Sequence, residues 1–270
     1  IIEEYKDIVF NPKYGYGANL NPCLDCKVFM VKKAREWMEE NGFDFIITGE
    51  VVGQRPKSQR KETMPIIQKD SGIDGRLLRP LCAKNLPETM PETEGWVDRE
   101  KLMGFSGRNR KPQIALAKQF GFEDFAQPAG GCCFLTDENY SVKLSDLWKS
   151  RGEKTYELDD IMLLKVGRHI RPENNYKVII AREEGETKYL QGYKKQYDSL
   201  RMTSHTGPMA LLDGNPDDAQ VNLAAAIVAR YSKGRDEPVV TLVYQKKTGE
   251  QQELTVKPAS PENVLPEWML

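Results

Sequence analysis

Four of the five cysteines of this chain fall in two short motifs, and the cysteine thiolate can carry sulfur or bind iron and zinc. The first motif is NPCLDC (21–26) and the second is PAGGCC (128–133). Between them lies a polar segment, TGEVVGQRPKSQ (48–59). Backbone amides, side-chain amides and cations of this kind suit phosphate oxygens. The pattern indicates sulfur, metal or redox chemistry beside a phosphate-binding loop.

The positions of the cysteines suit thiolates that bind one metal ion or cluster together. Cys23 and Cys26 form a C-x-x-C just before a predicted helix, whose dipole favours the anionic sulfur. Cys132 and Cys133 follow two glycines, which let the backbone approach a bulky ligand closely. Three thiolates could hold a 4Fe–4S cluster with one iron open to exogenous sulfur, or zinc together with a histidine or water. Both histidines lie in the second half of the chain, which argues against zinc, and a pair of incidental cysteines is the plain alternative.

Three basic segments are candidates for contact with phosphate or an RNA backbone. They lie within the polar loop, in GRNRK (107–111) and in GRHIR (167–171). Each is also what a solvated surface segment looks like. The segment SHTG (204–207) has no partnered carboxylate in sequence, which argues against a hydrolase triad.

Composition excludes several classes of protein. At 270 residues, 39% hydrophobic and a mean hydropathy of -0.59, the chain has the composition of a soluble protein of one or two domains. It has no signal-peptide pattern and no apolar run approaching the roughly 20 residues that span a bilayer. The odd number of clustered cysteines favours a reducing cytoplasm. A net charge of -1 gives no global case for nucleic-acid binding, so any such case rests on local patches.

The elements that would position the cysteines read as alternating helices and short strands. Periodicity predicts helices over 27–41, 98–103 and 112–120, and apolar runs predict strands over 43–47 and 77–81. Such alternation predicts a parallel α/β sheet, whose ligands sit at the carboxyl ends of its strands. The loop that begins at Gly49 would lie there.

The sequence pattern changes around residues 150–157, beginning with the charged run KSRGEK (149–154). This change predicts a domain boundary, with one domain over 1–150 and a second over 157–270. In the second we expect strands over 176–181 and 209–212 and a helix over 217–231. A terminal β-hairpin is predicted from 239–244 and 253–256. These elements predict a smaller α+β domain.

At this point the motifs resemble a known family. The TGE, GQ and SQ groups of the polar loop, followed by LRPL (78–81) and DRE (98–100), are similar to segments of the tRNA 4-thiouridine synthetases. The two cysteine motifs resemble those of the tRNA 2-thiouridylases. Residues 5–148 as a whole resemble a subfamily of PP-loop ATP pyrophosphatases that lacks the THUMP domain. The C-terminal part resembles the RNA-binding module of the NFACT proteins, which would begin near 165–169.

The resemblance implies a fold and a missing segment. The expected fold is α/β: an N-terminally truncated, parallel-sheet, adenine-nucleotide α-hydrolase-like (PP-loop) domain, followed by a smaller α+β domain. The SGGxDS motif that grips pyrophosphate in that family is not in this sequence, which opens IIEE (1–4). We expect the motif to precede residue 1, and the chain without it to bind ATP poorly or not at all.

The resemblance also implies an ATP-dependent tRNA thiouridylase, or sulfurtransferase, that uses ATP with Mg²⁺. AMP formation makes a uridine oxygen a leaving group, and sulfur from a cysteine persulfide or from hydrosulfide on an open iron of the cluster replaces it. The expected partners are tRNA and a sulfur donor, either a cysteine desulfurase or hydrosulfide, with no membrane; a homodimer is left open. Catalytic residues and metal ligands would be Cys23, Cys26 and Cys133, with Cys132 as the reserve ligand. Nucleotide contacts would be Gly49, Glu50, Gly53, Gln54, Ser58 and Gln59. RNA contacts would be Arg55, Lys57, Arg108, Arg110, Lys111, Arg168 and His169.

Two rival functions remain open. One is a non-catalytic RNA-binding protein with a degenerate nucleotide-binding fold and a structural metal. The other is a protein that carries sulfur, or repairs clusters, without binding RNA.

Overall fold

The computed structural model describes residues 1–124 and 133–270, and the chain divides into two compact units. The N-terminal unit is Ile1–Asp137 and the C-terminal unit is Glu138–Leu270. The segment 150–157, where the sequence suggested a boundary, lies within the C-terminal unit. It covers the end of one helix and the loop to the next.

Among the described residues of the N-terminal unit, most of the regular secondary structure is helical. Its elements are α1 (Ile2–Phe10), α2 (Cys23–Glu40), β1 (Ile46–Ile47), α3 (Met64–Ser71), β2 (Leu77–Leu78), α4 (Met90–Thr93) and α5 (Lys111–Gln119). In α2, Leu24, Val31 and Met38 recur every seven residues and form one buried stripe. This stripe packs against Ile67 of α3 and Leu77 of β2. The core therefore fixes the orientation of α2, including its first turn.

The predicted parallel α/β sheet of a PP-loop domain is wrong. Within the described residues, the parallel sheet of this unit consists of β1 and β2 alone, with Ile46 opposite Leu77 and Ile47 opposite Leu78. The larger sheet of the chain is antiparallel and lies in the C-terminal unit. The error has a physical reason, because a short apolar run shows that a segment is buried and does not show what it pairs with.

The C-terminal unit contains a six-stranded sheet flanked by helices. Its elements are α6 (Glu138–Arg151), α7 (Leu158–Leu163), β3 (Arg168–Glu173), β4 (Tyr176–Ile180), α8 (Glu184–Gln191), β5 (Asp198–Met202), β6 (Met209–Gly214), α9 (Asp218–Arg230), β7 (Val240–Gln245) and β8 (Gln251–Val256). The strand order is β3-β4-β6-β5-β7-β8, and every neighbouring pair is antiparallel. The predicted hairpin of β7 and β8 is confirmed.

Strand β4 is buried on both faces, which explains why it is apolar apart from Lys177, a buried cation that pairs with Asp146 and Asp213. Val178 and Ile180 pack in the cluster that α9 covers, whereas Ile179 packs with Leu163 of α7 and Leu190 of α8.

Helix α9 begins at a capping box in which the Asp217 side chain accepts a hydrogen bond from the backbone N–H of Gln220. With 133 residues against 137, the C-terminal unit is slightly shorter than the N-terminal one.

No helix in the described residues has both the length and the apolar character that crossing a bilayer requires.

Candidate functional site

Three cysteines from the two sequence motifs line one cavity of about 910 Å³ in the N-terminal unit. Cys23 and Cys26 come from the first turn of α2, and Cys133 comes from the other end of this unit. All three are present as thiols. The fold therefore brings together residues that are more than a hundred positions apart in sequence. Cys132, the reserve ligand, lies outside the described residues.

The start of α2 presents both sulfurs to hydrogen-bond donors. Pro22 precedes the helix, and Cys23 and Cys26 are three residues apart, so they lie on the same side of its first turn. The Asn21 side-chain amide donates to Cys23 Sγ at 3.0 Å, and the Tyr5 hydroxyl donates to Cys26 Sγ at 3.6 Å. Donors aimed at a sulfur complement the negative charge of a thiolate, which is the reactive form of cysteine.

Asn21 is a site residue that sequence reasoning missed. It is 8% exposed, and its side-chain oxygen accepts from the backbone N–H of Asn19 at 3.1 Å. Its backbone carbonyl accepts from the N–H of Gly17 at 2.9 Å, and a Cβ built at Gly17 would overlap the Asn21 amide. The signal available in sequence was its position two residues before the first cysteine.

A contact between the two ends of the unit closes the cavity near Cys133. The Asn19 side-chain amide donates to the backbone carbonyl of Thr136 at 2.9 Å, and both residues line the cavity. Cys133 itself is exposed. The Cys133 thiol is therefore open to solvent, whereas Cys23 and Cys26 are half-buried, and all three line the same cavity.

Cationic side chains surround the cysteines. The Lys57 ammonium donates to the backbone carbonyls of Gly15 (3.0 Å) and Tyr16, which fixes the charge at the cavity wall. Arg108 and Lys111 are exposed and do not line the cavity. The cations that do line it are Lys27, Arg55, Lys57, Arg60 and Arg110. Such a lining suits an anionic ligand such as a phosphate group.

The TGE segment is used for internal structure. Glu50 is buried and pairs with the equally buried Arg79, with Nε and Oε2 3.0 Å apart. The Lys27 ammonium lies 3.5 Å from the other Glu50 oxygen, and the Thr48 hydroxyl donates to Oε2. Glu50 and Gly49, expected at the nucleotide, are therefore not part of the cavity lining.

The remaining loop residues divide between structure and cavity. Gly53, at φ +78°, donates its N–H to the Gln59 carbonyl at 2.6 Å and closes the loop without lining the cavity. Gln54, Ser58 and Gln59 do line it. Gln54 also donates its side-chain amide to Gln113 Oε1 at 2.6 Å, which orients the amide.

Among the described residues, no group of three His, Cys, Asp or Glu side chains is arranged to hold a metal ion. The three cysteines share a cavity wall but do not form a ready-made ligand set within that part of the chain.

The C-terminal unit carries a second concave site, a groove of about 1570 Å³. It is formed by the start of β3, the start of α8, the end of α9 and the segment that follows β8. The Arg168 guanidinium lies over the Tyr231 ring at 5.0 Å from its centroid. We call this site the basic groove; the cations lining it are Arg168, Arg182, Arg230, Lys233, Arg235 and Lys257.

His169, which the sequence suggested as an RNA contact beside Arg168, points into the protein interior. It is fully buried, and its Nε2 lies 3.2 Å from the Leu163 carbonyl and 3.0 Å from the Val166 carbonyl. Because both partners are acceptors, Nε2 carries the proton. Burial, with smaller contributions from nearby lysines, holds the pKa of His169 well below its usual value. A ring placed in this way supports the fold and cannot touch a surface ligand, so that expected contact is corrected.

Residues 167–269 match the model of the family described as NFACT protein RNA binding domain. The match begins one residue before β3 and confirms the resemblance expected for the C-terminal part. It does not extend to the N-terminal unit, so the resemblance of that unit to the thiolation enzymes stays a prediction. None of the curated proteins matches the chain.

Among solved structures, the chain is similar to one titled "The structure of the C-terminal of the fibronectin/fibrinogen-binding protein from Streptococcus suis (FBPS)". The identity is 12% and the TM-score is 0.34, over 92% of this chain and 90% of that chain. A likeness of this size carries no conclusion about fold or function.

Proposed function

We propose that this protein binds RNA through its C-terminal unit and uses the cysteines of its N-terminal unit to transfer sulfur to a uridine of tRNA. The observation that carries the sulfur-transfer part is the convergence of Cys23, Cys26 and Cys133 on one cavity with cationic walls. The family match of residues 167–269 supports the RNA-binding part.

The thiols support a persulfide relay. The exposed Cys133 receives a sulfur atom from a donor such as a cysteine desulfurase and becomes a persulfide. Its terminal sulfur attacks a uridine ring carbon, and the carbon–oxygen bond breaks with AMP as the leaving group. Cys23 or Cys26 then attacks the sulfur of Cys133. This step releases the thiouridine and leaves a cysteine–cysteine disulfide, which a cellular thiol reduces.

The walls of the cavity suit the charges of this reaction. Adenylation of the uridine oxygen uses ATP with Mg²⁺ and places phosphate oxygens near the sulfur. Arg55, Lys57 and Arg110 would face those oxygens, and Gln54, Ser58 and Gln59 would supply polar contacts. Glu50 is excluded from such a role by its buried ion pair.

An iron–sulfur cluster is a less good fit to this site. Three cysteines line the cavity, but the described residues contain no three-residue group arranged to hold a metal. The proposal therefore includes no step that depends on a cluster. Anaerobic purification with iron, zinc and acid-labile sulfide assays tests this directly: about four irons per chain, lost in Cys23→Ala, would replace the relay with a cluster mechanism.

A non-catalytic RNA-binding protein is the second candidate. One observation favours it, namely that the described residues contain only a two-stranded parallel sheet where a nucleotide-binding enzyme of the resembled family would have a large one. In this case the cysteines would be structural.

The test is a sulfur-transfer assay with the full-length protein, since residues 1–270 lack the SGGxDS motif, together with ATP, Mg²⁺, tRNA and a cysteine desulfurase loaded with ³⁵S-cysteine. We expect label in thiouridine with the wild type and none with Cys26→Ala or Cys133→Ala. The matched control is Cys82→Ala, which removes a buried thiol outside the cavity and should preserve transfer. RNA binding without any label transfer by the wild type would favour the second candidate.

A further inference from the structure

The basic groove holds more positive charge than its own carboxylates neutralise. Arg182 pairs with Glu186 at 2.5 Å and Arg235 lies 3.5 Å from Asp236. The other four cations of the groove form no ion pair with a carboxylate in the part of the chain that the structure describes: Arg168, Arg230, Lys233 and Lys257. Elsewhere in this unit, the partly buried Arg171 and the buried Lys177 are paired with Asp146. Four unpaired cations in one concave site are the electrostatic footprint of a polyanion site.

The backbone fixes these charges relative to one another. The N–H of Lys233 donates to the Thr206 carbonyl at 2.8 Å, which holds the turn after α9. The N–H of Ala259 donates to the Ala226 carbonyl at 2.9 Å, which holds the segment after β8 against α9. Arg168 is the first residue of β3. Since three separate segments deliver the charges through ordered backbone, the site is preorganised for binding.

Arg168 and Tyr231 add a flat surface to the charge. The Tyr231 ring packs against the core of the unit and supports the guanidinium that lies over it. Arg168 lines the groove, so its planar group is accessible to a ligand there. Nucleobases stack on arginine planes and aromatic rings when they are not paired within a helix.

We propose that the basic groove binds an unpaired RNA strand, with Arg230, Lys233 and Lys257 at its phosphates and one base stacked on the Arg168–Tyr231 pair. This inference rests on the RNA binding proposed above and adds the binding surface and the strandedness of the RNA. A double helix would present no free base face to Arg168, because its bases are paired and stacked.

The acidic residues of the groove restrict which of its walls the RNA strand can follow. Glu183 and Glu184 lie at the start of α8, and Glu184 pairs with Lys188 at 2.6 Å. Asp236 and Glu237 lie in the loop before β7. These carboxylates repel phosphates, so the strand follows the wall formed by the end of α9 and the segment after β8.

The first test compares charge removal inside and outside the groove, using the full chain. The probes are a fluorescent 15-nucleotide single-stranded RNA and the blunt duplex of the same strand with its complement, with anisotropy as the readout. We expect Arg230→Gln/Lys233→Gln/Lys257→Gln to bind the single strand at least about tenfold more weakly. Its salt slope should fall by about 2, at roughly 0.7 per phosphate contact. The matched control is Lys194→Gln/Lys195→Gln/Lys247→Gln, which removes the same charge outside the groove and should bind like the wild type.

The second test separates stacking from charge. Arg168→Lys keeps the positive charge but loses the plane, and we expect it to weaken single-strand binding about fivefold or more, since one stacked base contributes roughly 1–3 kcal/mol. Duplex binding should not change in this variant. Circular dichroism checks that each variant folds.

The outcomes distinguish the two proposals. If the wild type binds neither RNA, the proposed RNA-binding function fails. If the wild type binds RNA and the groove variant binds as tightly as its control, the groove assignment is overturned while RNA binding stands. A wild type that prefers the duplex to the single strand also overturns the assignment.

Discussion

Glu50 and Arg79 form an ion pair in the interior of the N-terminal unit, with 3.0 Å between Oε2 and Nε and each residue 3% exposed. Lys27 adds a second positive charge 3.5 Å from the carboxylate, and the Cys82 thiol donates to the Glu50 backbone carbonyl. The pair connects the segment after β1 with the segment after β2, and so fixes the start of the loop that continues to the cysteine cavity.

We predict that Arg79→Ala destabilises the N-terminal unit by about 3–5 kcal/mol, because it leaves the Glu50 carboxylate buried without its main partner. Hydrogen exchange of α2 amides, followed by mass spectrometry, reports the free energy of unfolding of this unit. The matched control is Arg76→Ala, which removes an ion pair with Glu39 on the surface, where the two side chains are 27% and 47% exposed. The control should cost less than about 1 kcal/mol. Equal losses in both variants would show that the buried pair is not structural.

The thiols should react in an order set by their exposure. With iodoacetamide at neutral pH, we expect Cys133 to be alkylated first, because it is exposed, and the half-buried Cys23 and Cys26 to follow. Cys82 should react only after unfolding, since burial shields it and also raises the pKa of its thiol. Peptide mass spectrometry over a time course measures each rate. Early labelling of Cys82 in the folded protein would contradict the structure.

Asn21 positions Cys23, and Gly17 makes room for Asn21. We predict that Asn21→Ala slows alkylation of Cys23 severalfold, because the sulfur loses the donor that lies 3.0 Å away. Gly17→Ala should produce the same change, since its Cβ would displace the Asn21 amide.

The rate at Cys133, outside this contact, serves as the internal control for both variants. A comparable fall at all three cysteines would indicate general damage to the unit, and unchanged rates would remove Asn21 from the site.

His169 should make the stability of the C-terminal unit depend on pH. Its pKa is lowered in the folded state, so the stabilisation is complete above the ordinary value near 6.5 and is lost as the pH falls from there towards the folded value. In this range His169 is protonated in the unfolded chain and neutral in the folded one. The free energy of unfolding therefore falls by up to about 1.4 kcal/mol for each pH unit.

The comparison is with His169→Gln, whose amide can still donate to the Leu163 and Val166 carbonyls. Hydrogen exchange of the buried β4 amides between pH 7 and pH 5 measures both proteins. We expect the wild type to lose stability more steeply than the variant. Parallel curves would mean that His169 does not titrate in this way.

Local periodicity in the sequence was enough to predict many elements. The helix predicted over 217–231 is α9, that over 112–120 is α5, and the apolar run at 176–181 contains β4. Each of these segments carries its own signal, either an apolar stripe at helical spacing or a short run rich in β-branched and aromatic residues.

The pairing of strands could not be predicted in the same way. β5 pairs with β6 and also with β7, which follows it by some forty residues, and no short window of sequence contains that information. The resemblance to a parallel-sheet family filled this gap incorrectly. The cysteines that line the cavity were easier to predict, because residue type alone suggested Cys23, Cys26 and Cys133. Asn21 and Tyr5 could not be predicted in this way, because they contribute only through hydrogen bonds to sulfur that depend on the folded direction of their side chains.

The hydrogen bond between Asn19 and Thr136 has a consequence for synthesis on the ribosome. Cys133 lies 107 residues after Cys26, so the first two thiols leave the exit tunnel long before the segment that completes their cavity. At roughly 5–20 residues per second, the nascent chain exposes an unfinished thiol pair for several seconds. Any oxidant or metal that captures the pair during this interval competes with assembly of the cavity, so the order of translation leaves these cysteines open to reaction before their cavity is complete.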